Sequence, residues 1–147
     1  MPDVNTSVTA TYAPGGPCSV PVTTGLVAFF EAESGIATSG STVTSWTDES
    51  GLGNDMVAAG DPKFVPDALS GHAIVRFDGV NDSLERLGGL NSFPTGLQDR
   101  SIFTVAQYRS SGWGGFSYGS AVCNRTFCVG VAPGGDLGLQ GLCAGND

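Results

Sequence analysis

The stretch VTSWTDESGLGNDM, residues 43–56, decides how the chain is read. It begins as a strand, because Val43, Thr44 and Trp46 are β-branched or aromatic, and within a few residues it turns into loop chemistry. Asp48, Ser50, Asn54 and Asp55 are residues that bond back to nearby backbone, and Gly51 and Gly53 tolerate the positive φ of a reversing chain. Trp46, just ahead of the turn, is placed to cover the edge of a core. Turn chemistry alone accounts for every residue type present, so the loop reads first as a corner. The same oxygens could serve Ca²⁺, which takes roughly 6–8 of them, although no spacing here matches an EF-hand loop.

Outward from this stretch the chain has the texture of an all-β protein. Its 147 residues include 23 glycines, and short apolar runs are separated by Gly, Ser, Thr, Asn and Pro. One core of ordinary size is expected, with residues 25–147 as the domain and residues 1–24 as an N-terminal strand and linker. The formal net charge is −8, with Lys63 the single lysine, so a phosphate backbone and an anionic membrane surface are both repelled. Nucleic acid is excluded as a partner on that ground. The best apolar run, GLVAFF at residues 25–30, falls far short of the roughly 20 residues of a spanning helix, and no membrane insertion is expected. Met1 does not lead into a basic and then apolar leader, and the chain reads as an excerpt. Four cysteines and the Ser/Thr/Gly-rich texture suggest an exported, extracellular or cell-surface protein.

Strands are expected at GLVAFFEA, TVTSW, AIVRFDG and SIFTVAQYR, the last being the longest β-rich run. GGFSYGSAV, RTFCVGVA and DLGLQGL follow with the rhythm of an antiparallel meander. DPKFVPDALSG, which contains Pro62 and Pro66, is not expected as a central strand.

Taken together, LVAFFEAESGI, VTSWTDESGLGNDM, Pro62 and Pro66, GHAIVRFDGVNDSL and SIFTVAQYR resemble a laminin-G-like module of the concanavalin A-like jelly-roll superfamily. The resemblance covers residues 25–147 and implies an antiparallel β-sandwich that binds glycans, proteins or calcium outside cells. Such modules usually continue for several more strands, so the fold is expected to be shortened or completed from elsewhere. VNTSVTATYAP, residues 4–14, is similar to the closing strand of repeat modules on bacterial surface proteins.

Three kinds of site are candidates. Eight of the fourteen carboxylates fall between Asp48 and Glu85, and if the loops meet, Asp48, Asp55, Asp78 and Asp82 would repel one another unless a cation such as Ca²⁺ lay among them. The alternative is a solvated acidic rim with turns at Asp78-Gly79 and Asn81-Asp82. YRSSGWGGFSYGS sets Tyr108, Arg109, Trp113 and Tyr118 among glycines and serines, where aromatic faces could stack on sugar rings or fold back over a sheet edge. The cysteines read as staples, Cys123–Cys128 across a tight hairpin and Cys18–Cys143 near the two ends, out of three possible connectivities. Asn5, Asn81 and Asn124 begin N-x-[ST] sequons, which matter only in a glycosylating host.

Catalysis is not expected. Glu31 and Glu33 are the only acids at alternate positions on a candidate strand, and they sit at its end rather than its middle. His72, the single histidine, lies beside Gly71 in a turn, which argues against nucleophilic catalysis. The expectation is a non-catalytic extracellular recognition module that binds carbohydrate, with calcium as the candidate cofactor. The competing expectation is a structural or adhesive subunit of a surface fibre, adhesin or particle that assembles through open sheet edges.

Overall fold

The structure, a computed structural model, describes residues 23–96, 98–109, 114–119, 126–131, 134, 137–141 and 144–145. Among the described residues every regular element is a strand and every ladder is antiparallel, as expected for an all-β chain. The chain forms two compact units, the first ending at Phe93 and the second beginning at Pro94. Residues 1–22 lie outside the described residues.

The first unit holds β1 (Ile36–Ser39), β2 (Thr42–Trp46), β3 (Met56–Ala59), β4 (Lys63–Leu69), β5 (His72–Arg76) and β6 (Ser83–Glu85). They form one sheet in the order β5-β4-β2-β3-β6, with β1 also paired to β2. β2 is the organising strand, because β3 meets it at Ser45 and Trp46 while β4 meets it at Thr42. The excursion between those contacts, Gly60 to Pro62, is stitched back where the Val43 amide donates to the Pro62 carbonyl at 2.8 Å. Val43 and Pro62 are fully buried there. β4 and β5 form a hairpin whose turn residues, Ser70 and Gly71, both have positive φ (52° and 88°), as a type I′ turn requires.

β4 corrects one expectation. It is an interior strand of the sheet although it contains Pro66. The rule against proline assumes a continuous ladder on both sides. β4 instead pairs with β5 over Lys63–Val65, shifts register, and resumes at Leu69, so Pro66 falls in the irregularity and its missing N–H costs no ladder bond.

The segment before β1 is a second correction. Residues 26–31, expected as a strand, enter no ladder. The backbone groups of Val27, Phe29 and Glu31, every second residue, are bonded instead by side chains and backbone of the 46–54 region. The extended period is kept, but the partner is a loop.

The second unit holds β7 (Gly114–Gly119), β8 (Thr126–Val131), β9 (Leu137–Gly141) and β10 (Ala144–Gly145) in the order β10-β9-β8-β7. This is the expected meander. β7 and β8 pair without interruption from Gly114↔Val131 to Gly119↔Thr126. A third expectation fails here: residues 101–109, the longest β-rich run of the sequence, contain no strand, and every one of them is exposed.

Candidate functional site

The loop of residues 48–54 is a polar corner built around one carboxylate. Asp48 is 5% exposed, and its Oδ1 accepts from the amides of Phe29 and Ser50 while its Oδ2 accepts from the Ser50 hydroxyl and the Asn54 amide, all between 2.7 and 2.9 Å. Burial pushes its carboxyl up, but the bonds from Phe29, Ser50 and Asn54 together outweigh burial and hold it below the ordinary aspartate range. Asn54, 2% exposed, donates to the carbonyls of Val27 and Asn91 and accepts from the Asn91 amide at 2.8 Å. Asp55 accepts from the Asp48 amide at 2.8 Å. Trp46 donates its indole N–H to the Glu31 carbonyl and meets Phe30 edge to face at 5.7 Å. Buried polar groups are tolerated only when bonded, and these are, so the corner is structural. Asn91 is the partner that sequence reasoning missed, and nothing in its local sequence marks it.

The second acidic group differs from the expected one. Asp78 and Asp82 come together with Asp61, their ligand atoms lying within 4.8 Å of one another, whereas Asp48 and Asp55 are occupied in the corner. Asp82 accepts from the amides of Asp61 and Asp78 at 2.7 and 2.8 Å. Asp78 accepts from the Val80 amide at 2.7 Å and the Asn81 amide at 3.3 Å, and the Val80 bond leads the effects that lower its pKa. Lys63 reaches Asp61 Oδ2 at 2.8 Å and Thr42 Oγ1 at 2.8 Å. The repulsion among the three carboxylates therefore already has a cation against it, supplied by the chain. Oxygens of this kind suit Ca²⁺ chemically, yet backbone amides and Lys63 account for their positions without one.

The two carboxylates weighed for catalysis have different surroundings. Glu31 is buried, and Glu33 Oε1 takes His72 Nδ1 at 2.9 Å and the Ala73 amide at 3.0 Å, fixing the start of β5. The cleft beside them, about 190 Å³, is lined by Ala32–Ile36, Thr38 and Phe64. It is smaller than the roughly 300 Å³ at which small-molecule pockets begin.

In the second unit the aromatic residues divide. Tyr118 is half-buried and engaged: its hydroxyl donates to the Pro94 carbonyl at 3.1 Å and accepts from Arg100 Nη1, and its ring lies 5.5 Å from that of Phe127. The Arg100 guanidinium sits over Tyr118 and Phe127 at 5.8 and 5.3 Å and also donates to the carbonyls of Gly96 and Gln98. These rings and this cation form a cluster around Tyr118. Tyr108 is the exposed member, 42% accessible, with its hydroxyl donating to the Gly114 carbonyl at 3.2 Å. Arg109 is exposed beside it. Trp113 lies outside the described residues.

Next to this cluster runs the feature that the sequence reading misjudged. Residues 101–109 carry Phe103 and Val105 at 96% and 95% exposure, with Ile102 at 37%. None of them pairs in a ladder, and none has positive φ. Single exposed apolar residues are ordinary, but a run of β-branched and aromatic residues without a sheet is not.

Cys128 stands half-buried on β8, with no disulfide partner among the described residues. Cys18, Cys123 and Cys143 lie outside the described residues, and the expected pairs Cys123–Cys128 and Cys18–Cys143 fall there with them. No family model, curated protein or solved structure matches the chain.

Proposed function

We propose that this chain is a non-catalytic, extracellular structural or adhesive subunit of jelly-roll type that works by adding a strand to a partner's sheet. The observation that carries the reading is the segment of residues 101–109, β-competent in sequence, exposed throughout and without a ladder. Strand addition uses backbone hydrogen bonds for affinity and alternate side chains for specificity. The resemblance to laminin-G-like modules suits this role, since those act by recognition outside cells. Glu33 is taken up by His72 and the Ala73 amide, which supports the non-catalytic reading. The test is the parent protein carrying Phe103→Lys and Val105→Lys together. Its native assembly should fall apart while circular dichroism of the isolated chain stays unchanged, and an intact assembly would refute the proposal.

Glycan recognition is a second reading, favoured by the exposed ring of Tyr108 beside Gly114, one residue from Trp113. Its footing is narrower than the sequence suggested, because Tyr118 is taken up by Arg100 and Phe127. A glycan array with wild type and Trp113→Ala tests it: binding lost in a variant of normal melting temperature supports it, and no binding by wild type refutes it.

A further inference from the structure

We propose that the partner of residues 101–109 is the same segment of a second copy of this chain, paired antiparallel about a two-fold axis through Thr104. The inference rests on the strand-addition reading and goes further by naming the partner and the register.

The side chains select both. About Thr104, each Phe103 faces Val105 of the other copy, Ile102 faces Ala106, and Thr104 faces itself. Aromatic–β-branched and Thr–Thr pairs are among the favourable cross-strand pairs. Residues 103 and 105 share one face of an extended segment, so the two most exposed side chains of each copy are covered together. The ends complete the match, with Asp99 opposite Arg109 twice over. Both are exposed, and neither makes an ion pair or side-chain hydrogen bond among the described residues.

Other registers lose this agreement. Shifting by one places Arg100 opposite Arg109 in one direction and the uncharged Gln98 opposite Arg109 in the other. Parallel in-register pairing stacks Asp99 on Asp99 and Arg109 on Arg109, like charges directly opposed. Only the antiparallel arrangement about Thr104 pairs opposite charges and the large apolar residues at once. It is an isologous contact, the kind a two-fold dimer requires. A single strand pair falls below the roughly 1,600 Å² of a standard interface, so association in the micromolar range is expected.

The experiment is sedimentation velocity of the full chain from low to high micromolar concentration. Wild type should convert from monomer to dimer. Asp99→Arg alone and Arg109→Asp alone should each weaken the dimer at least several-fold, and the double swap should restore it, because each end again carries opposite charges. Thr104→Pro should abolish it while leaving the tryptophan emission of the folded chain unchanged. A chain that stays monomeric throughout, or a dimer indifferent to the charge swap, overturns the proposal. Strand addition to a different partner would still stand in that case if Phe103→Lys with Val105→Lys disrupts the native assembly, so the two failures are distinguishable.

Discussion

Asn54 spends its whole side chain on the backbone of two distant segments, bonding Val27 and Asn91 from a position that water hardly reaches. Asn54→Leu keeps the branched shape but leaves the Asn91 carbonyl and amide without their partner and takes one of two donors from the Val27 carbonyl, so it should cost about 3 kcal/mol in urea unfolding. Asp48 adds a dependence on pH. Its carboxyl titrates lower in the folded state than in the unfolded one, so its contribution is complete above about pH 4 and is lost as pH falls through the folded value. Thermal melts should show Asp48→Asn less stable than wild type at pH 7, with the gap closing below about pH 4. A constant gap across that range would mean that the charge of Asp48 does not matter. The corner itself was legible, because Asp, Ser, Asn and Gly announce turn chemistry wherever they cluster. Its depth was not: Asn91 and Val27 lie far from it in the chain, and no local pattern marks a long-range hydrogen bond.

At the scale of elements, alternation and punctuation found β2, β5 and the β7–β9 meander, since each is a β-rich run bounded by Gly, Asn or Pro. β3 and β6 escaped because MVAA and SLE are too short to show a period. Residues 26–31 and 101–109 were read as strands because propensity measures fitness for a sheet and says nothing of whether a neighbour exists. The β7–β8 pair supplies a sharp test of close approach. A Cβ at Gly115, where φ is 155°, would collide with the Val129 carbonyl, so Gly115→Ala should destabilise the second unit by several degrees in a thermal melt. The acidic group at Asp61, Asp78 and Asp82 gives another. Asp82→Ala frees the amides of Asp61 and Asp78 and should lower the melting temperature equally with millimolar Ca²⁺ or with EDTA. A Ca²⁺-dependent rise in wild type that the variant loses would instead make the group an ion site.

For the whole molecule, no helix among the described residues is long and apolar enough to cross a membrane. Residues 101–109 matter most, because a β-competent segment left outside a sheet is ready to template pairing with another chain. Amide hydrogen exchange followed peptide by peptide measures this directly. In the dilute chain, amides of residues 102–108 should exchange almost as fast as in an unfolded peptide while those of β2 and β8 are protected, and in the assembled parent protein they should slow by orders of magnitude. Slow exchange of residues 102–108 already in the dilute monomer would show that the segment has a sheet of its own, and strand addition through it would be contradicted.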